Sequence, residues 1–430
     1  MNIFIKTVLF LTCSFSLASA QELLTFKDAI AMAMQKNHRI EIARNDAQIA
    51  ENNVHIGNAG LLPRIDVSAG SNYQDSKLNT PAGELAEGST LNTAQVQARY
   101  TLFDGFGNIY RFKRLQALGE IGRLQARSQI ENTLVQVSGA YYAAALSFDN
   151  LEIAKELLSI SRERLERAKK KSLFGQANTI QVLAAKVDLN ADSVTVTQAI
   201  FHWDEAKRNL NVLLSRDVNA DFVIDSRIEF PQEIELATVR NAALEQNAAF
   251  LISQHLHKQS NYDVNIARSA RLPQVDFTTS YGYNRTDSEL RIALNEPNKV
   301  FRAGATISLN LFDGFRTSKQ IQNAKLELEN RKIAEKEARL QLERDVANGY
   351  EAYRNARLVL SLEEQNLKSA QLNFKRTQEL FNLGQVTTTQ FREAQLNLIR
   401  AKNNISSAKF SAKLDEIELL RLSGTLIKEE

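Results

Sequence analysis

The sequence is written twice, and no other feature limits the fold as strongly. Leu62-Pro63 returns as Leu272-Pro273, with Asp66 answered by Asp276. Leu102-Phe103-Asp104-Gly105-Phe106 returns as Leu311-Phe312-Asp313-Gly314-Phe315, and Phe174-Gly175-Gln176 as Leu383-Gly384-Gln385. Asn37, in Gln35-Lys36-Asn37, is answered by Asn247, in Glu245-Gln246-Asn247. The offset is 209 or 210 residues each time, and the order is kept. Solenoid repeats recur every ~20–50 residues. The period here is that of a whole structural half copied once.

Each half reads helix, strand, strand, helix, helix. The first helix is expected from about Phe26 to Gly60, and its copy from about Leu236 to Arg271. Pro63 and Pro273 then suit a helix-to-strand corner, since proline ends a helical hydrogen-bond ladder. Polar loops, Asp75 to Leu91 and Arg285 to Lys299, separate the two strands of each half. Gly105 and Gly314 suit the strand-to-helix corner, where unusual backbone angles are needed. A long helix follows, from about Gly107 to Lys171 and from Phe315 to Asn382. The chain reverses at Gly175 and Gly384, and a last helix runs from about Thr179 to Ser215 and Thr387 to Ser423. The repeats thus occupy residues 21–216 and 232–430, with 217–231 as a linker.

The four strands alternate with period two. Ile65, Val67, Ala69 and Tyr73 oppose Asp66, Ser68, Gly70 and Asn72. Val96, Ala98, Tyr100 and Leu102 oppose Gln95, Gln97, Arg99 and Thr101. Val275, Phe277, Thr279, Tyr281 and Tyr283 oppose Gln274, Asp276, Thr278, Ser280 and Asn284. Ala303, Ala305, Ile307, Leu309 and Leu311 oppose Gly304, Thr306, Ser308 and Asn310. Such strands fit a soluble sheet with one wet face, or a membrane barrel with lipid outside and water inside. Their length, about ten to thirteen residues at roughly 3.3 Å each, favours the barrel wall. Lipid forbids open sheet edges, so four strands from one chain cannot stand alone. About eight strands give an interior filled by side chains. Three chains, with twelve strands, are the smallest assembly expected to leave a pore. The polar loops then suit the outer surface.

The long helices carry heptads. Val346, Tyr353, Leu360, Leu367, Phe374 and Phe381 fall seven apart, as do Val137, Ala144, Leu151, Leu158 and Leu165. Ile130, Leu134, Val137, Tyr141, Ala144, Phe148 and Leu151 step by four and three, an a/d seam of a coiled coil. Sixty-odd helical residues reach on the order of 100 Å, and the two shorter helices of a half, end to end, match that. The expected fold is therefore mainly α: long antiparallel coiled-coil helices form an α-barrel, and four strands per chain join a twelve-stranded trimeric transmembrane β-barrel. Charged stretches such as Arg162-Glu163-Arg164 and Glu335-Lys336-Glu337 read mostly as solvated helix faces.

Asn2, Lys6, the apolar run Val8 to Leu17 and Ala18-Ser19-Ala20 read as a secretory signal over residues 1–20, with cleavage before Gln21. The single cysteine, Cys13, lies within it, so no disulfide is expected. The net charge of +3, with both signs mixed along the chain, argues against a nucleic-acid partner. No catalytic, cofactor or metal residues stand out: His255 and His257 are two apart and do not share a helix face, and no phosphate loop, nucleophile elbow or HExxH is present. Trp203 reads as packing. The chain is not expected to be an enzyme.

With these features the sequence resembles the TolC-like outer-membrane efflux protein family. The duplicated plan, the paired Leu-Phe-Asp-Gly corners, the turns at Gly175 and Gly384 and the closing Leu422-Ser423-Gly424-Thr425-Leu426 carry the resemblance. It implies a homotrimer in outer-membrane lipid, whose periplasmic helical barrel docks to an adaptor protein and an inner-membrane transporter. Gly175, Gln176, Gly384 and Gln385 would touch the adaptor. The family narrows its periplasmic gate with acidic residues six and nine positions past the second glycine, where Gln390 and Glu393 stand here. Gln181 stands at the corresponding acidic place after the first glycine. Phe381 replaces a latching tyrosine and has no hydroxyl to donate, so a weaker latch is expected. The implied function is the exit duct of a tripartite efflux system passing small toxic molecules. The alternatives are type I export of proteins or peptides, and a structural coiled-coil protein of the cell envelope.

Overall fold

A computed structural model describes residues 23–81, 83–174, 178–230, 234–288 and 298–427. The expected signal, the start at Gln21, Cys13, Gly175, Gln176, Pro231 and most of the second polar loop lie outside the described residues. The elements are β1 (Leu23–Leu24), α1 (Phe26–Lys36), α2 (His38–Asn52), β2 (Arg64–Thr80), β3 (Gly83–Asp104), α3 (Gly107–Leu173) and α4 (Thr179–Leu213) in the first half. Then come β4 (Val223–Ile224), α5 (Leu236–Gln246), α6 (Ala248–Ser269), β5 (Gln274–Ser288), β6 (Asn298–Ser308), α7 (Arg316–Asn382) and α8 (Thr388–Ser423). The chain divides into two units: 1–38, 133–232 and 352–417 form one, and 39–132, 233–351 and 418–430 the other.

The first helix expected in each half is two helices, broken at the paired asparagines. Asn37 and Asn247 are extended, with ψ of 123° and 118°. The Asn247 Oδ1 accepts the Phe250 N–H at 3.0 Å, capping α6. Asparagine is favoured at such a cap because its side chain satisfies an amide that has no helical partner. The amide nitrogens of both residues reach a distant helix end: Asn37 donates to the Leu213 carbonyl at 2.6 Å and Asn247 to the Leu422 carbonyl at 3.0 Å. Thr25 and Asp28 form a capping box on α1.

The two copies then diverge. α6 runs to Ser269, close to the expected end, but α2 stops at Asn52, well before Gly60. Gly57 and Gly60 stand where the copy has Ala267 and Ala270, and glycine costs a helix about 1 kcal/mol relative to alanine. Gly60 also adopts a left-handed φ of 79°. Pro63 and Pro273 each sit immediately before a strand, so they start β2 and β5 rather than end a helix.

Four antiparallel strands form an open sheet in the order β2-β3-β5-β6. β2 and β3 pair from Arg64↔Arg99 to Thr80↔Gly83, so the stretch expected as a loop, Asp75 to Leu91, is a hairpin ladder almost to its end. Backbone pairing does not need the side-chain alternation that the stretch lacks. β3 carries a bulge between Thr101 and Phe103. The extra residue, Leu102, gives up its expected place on the apolar face, and Phe103 takes it opposite Val275. β6 ends at Ser308, short of the expected Leu311, because Ser308 already pairs with Gln274. The next partner would be Pro273, which has no N–H to give.

In the helical unit the heptad seam is a core. Val137, Ala144, Leu151 and Leu165 are buried, as are Tyr353 and Leu360, and Val346 is buried within the other unit. Leu360 and Ala356 of α7 cluster with Ile405, Ala408 and Ala412 of α8. Each large apolar side chain so buried contributes about 1.5–3 kcal/mol. The segment expected as a plain linker is docked into this core. β4 pairs in parallel with β1, and Phe222 and Ile224 are buried. The Tyr141 hydroxyl lies 3.1 Å from the Leu24 carbonyl and 2.8 Å from the Asp225 carbonyl, fixing both strands. Trp203 packs between Phe148 and Phe222, as its packing role requires.

Candidate functional site

The sheet register aligns the apolar alternates of all four strands on one face. Val67 faces Val96, Val96 faces Tyr281, and Tyr281 faces Phe301. One step along, Ala98 faces Thr279, which faces Ala303. Tyr100, Phe277 and Ala305 form a further row, and Phe103, Val275 and Ile307 the next. This face is not covered: Ile65 is 68% exposed, Val67 77%, Phe301 68% and Ile307 73%. Soluble proteins rarely leave so continuous an apolar surface bare. The reverse face carries Ser68, Gln95 and Gln97, and there Thr101 donates to Asp276 at 2.7 Å. Among the described residues no helix is long and apolar enough to cross a membrane.

Both corners leading from sheet to helix share one geometry. Gly105 and Phe106 have φ of 68°, and Gly314 and Phe315 have 66° and 67°. Only the glycine was legible from the motif. A phenylalanine held left-handed costs about 1–2 kcal/mol, and the rest of the motif offsets it. Phe103 meets Phe106 edge-on at 5.2 Å, and Phe312 meets Phe315 in the same way at 5.4 Å. The aspartate between them caps the following helix: Asp104 accepts the Asn108 N–H at 3.0 Å, and Asp313 the Thr317 N–H at 2.9 Å. The Thr317 bonds hold the Asp313 carboxyl below its ordinary pKa.

In the helical unit, α7 turns into α8 through Gly384, whose φ is 77°. The Gln385 N–H closes the turn on the Leu380 carbonyl at 2.9 Å and the Gly384 N–H on that of Phe381 at 3.1 Å, the pattern glycine makes at helix ends. Phe381 stacks on Phe391 at 4.5 Å, with Arg167 and Lys171 over its other surroundings at 5.9 and 5.8 Å. Gln390 is held by a cap: its Oε1 accepts the Thr387 N–H at 2.8 Å, and its own N–H returns to the Thr387 hydroxyl at 3.2 Å. Gln181 stands in the first turn of α4, its N–H bound to Asn178 at 3.1 Å. Glu393 is exposed in an open groove beside Arg164, Gln181 and Arg400. These residues therefore gather at one end of the helical unit.

Close by lies a buried polar network that sequence reading missed. Arg392 makes a two-pronged pair with Asp192, at 2.8 and 2.9 Å. Asp192 also accepts from the Ser161 hydroxyl, and Arg392 from α8 reaches Gln395 Oε1 at 3.2 Å. Ser161, Asp192 and Gln395 are all buried. Arg164, expected on a solvated face, is 4% exposed and paired with Asp188. It lies on the stripe Leu157-Ser161-Arg164, which steps by four and three and faces inward. A charge run cannot reveal which of its members falls on that stripe unless it is phased against the heptad.

The sequence profile described as outer membrane efflux protein matches residues 29–216 and 239–425, one stretch in each half. Protein CyaE of Bordetella pertussis is 28% identical over 318 residues, spanning 73% of this chain and 65% of that protein. Outer membrane efflux protein BepC of Brucella suis is 23% identical, over 94% of this chain and 86% of its own length. Among solved structures, the Campylobacter jejuni CmeC outer membrane channel superposes with a TM-score of 0.78 at 16% identity, covering 94% of this chain and 86% of that one. That last likeness is one of fold.

Proposed function

The chain belongs to the outer membrane efflux protein family, and from that premise we propose that it is the outer-membrane exit duct of a tripartite efflux system. It passes small toxic molecules, delivered by an inner-membrane pump through a periplasmic adaptor, to the exterior. The observation that carries this reading is the bare apolar face shared in register by four strands. Its natural cover is lipid, with water on the reverse. The sheet is open, and each backbone group left unpaired at an edge in lipid would cost several kcal/mol. Pairing β6 of one copy with β2 of the next removes both edges, and three copies close twelve strands into a homotrimeric barrel. The helices then lie in the periplasm, with the turn at Gly384-Gln385 and its counterpart at Gly175-Gln176 meeting the adaptor. The chain itself does no chemistry. BepC, an efflux protein by name, supports this reading, and AprF of Pseudomonas aeruginosa, a secretion protein by name at the same 23% identity, keeps type I secretion as the second one.

At the gate, Gln181 and Gln390 leave Glu393 as the acidic residue of the constriction, and Phe381 has no hydroxyl with which to latch. A trimer in a planar bilayer is expected to open more readily, and respond less to divalent cations, than relatives ringed with aspartate. Equal closure and equal cation block would refute the weak latch. A strain lacking the gene tests the duct itself. Efflux predicts sensitivity to detergents, drugs or metal ions with secreted proteins intact. A lost secreted protein with tolerance kept would replace efflux by type I secretion. A purified chain that stays monomeric and soluble without detergent would point instead to a structural envelope protein.

A further inference from the structure

At the end of the helical unit there is a cavity of about 240 Å³ whose charged lining side chains are all cations. Arg164, Arg167 and Lys171 enter it from α3, Gln181 from α4, Phe381 from the end of α7 and Thr388 from the start of α8. Arg164 gives one nitrogen to Asp188, but among the described residues its Nε and Nη1 have no hydrogen-bond partner. It is more than nine-tenths buried, and burial with the nearby charge of Arg392 pushes its pKa down to about 10. Arg167 donates to the neutral Asn382 side chain, and Lys171 rests against the Phe381 ring. The buried carboxylate of Asp192 is already taken by Arg392 and Ser161. The first turn of α8, a 36-residue helix, adds the positive end of its dipole through Thr388. Gln181 supplies no charge. Three cations and a helix start thus converge on a cavity that no carboxylate of the described residues lines, Asp188 and Glu393 standing in the adjoining groove.

We propose that this cavity is a binding site for an oxyanion, a carboxylate or phosphate group held between Arg164, Arg167 and Lys171. Guanidinium forks and an ammonium are matched to such oxygens, and buried N–H groups without acceptors favour whatever supplies one. The site does not depend on the duct reading, since binding can be measured without transport. The full chain, purified in detergent, is titrated with inorganic phosphate and, in parallel, with acetate. Potassium chloride at matched ionic strength is the reference. Calorimetry and thermal unfolding are expected to show saturable binding and a rise in Tm with one or both oxyanions, beyond that in chloride. The double variant R167Q/K171Q, altered at one exposed and one half-buried side chain, should weaken binding at least tenfold. Q181E places a carboxylate inside the cavity. It should raise Tm in the absence of oxyanion and abolish the response to it. Identical Tm curves in phosphate, acetate and chloride, or a double variant that binds as the parent does, would overturn the proposal.

Discussion

Asn37 and Asn247 are visible in the sequence as a repeated pair, but their task is not, because their partners lie some 175 residues away at the ends of α4 and α8. Replacing either by alanine removes a cap or a hinge and leaves a helix-end carbonyl unpaired. A loss of about 1–3 kcal/mol is expected for each, read from denaturant unfolding in detergent. The Arg392–Asp192 pair was hidden for a related reason: its members are 200 residues apart and each looks like ordinary surface charge. Breaking it with Arg392→Ala strands a buried carboxylate, at about 3–5 kcal/mol. The change should first appear as proteolysis near the Gly384 turn. Glu131 offers a pH test. Burial raises its pKa against the pull of Arg127 and Arg421. A raised carboxyl contributes stability below its unfolded value of 4.5 that is lost as pH rises through the folded value. Tm of the parent should therefore fall relative to Glu131→Gln across that interval, and parallel curves would show that Glu131 does not titrate there.

The elements themselves were largely legible: the long helices and the glycine corners fall within a few residues of expectation, while β2 and β3 run on through the stretch expected as a loop. What escaped was local irregularity that depends on a neighbour. The bulge at Leu102 exists because β3 is paired on both sides, and the shortened β6 because Pro273 is a poor partner. The two copies of the corner also differ in their surroundings. A Cβ at Gly105 would meet the Ser269 carbonyl oxygen at 2.5 Å and Leu272 Cβ at 2.8 Å, whereas at Gly314 it meets nothing within 4 Å. Gly314→Ala should cost only the left-handed penalty, about 1–2 kcal/mol. Gly105→Ala adds a clash with backbone and should be clearly worse. Equal unfolding midpoints for the two variants would contradict that difference.

For the molecule as a whole, alternation in the strands was enough to foresee a two-faced sheet, because period two fixes facing regardless of partners. Register, which alignment cannot be read from one strand, completed the apolar face. Val67→Arg or Phe301→Arg puts a charge on that face and is expected to cost about 2–4 kcal/mol near the bilayer midplane. Cell fractionation should then show less protein in the outer membrane. Ser68→Arg, on the reverse face, should leave insertion unchanged.

The clasp on the last turn of α8 sets an order of events. Leu422 is held by Asn247, and the Gly424 carbonyl accepts from Arg127 at 2.6 Å. These partners emerge hundreds of residues after the first strands do. The sheet-bearing unit therefore cannot complete this clasp until residues 422 to 424 have joined the strands made long before them.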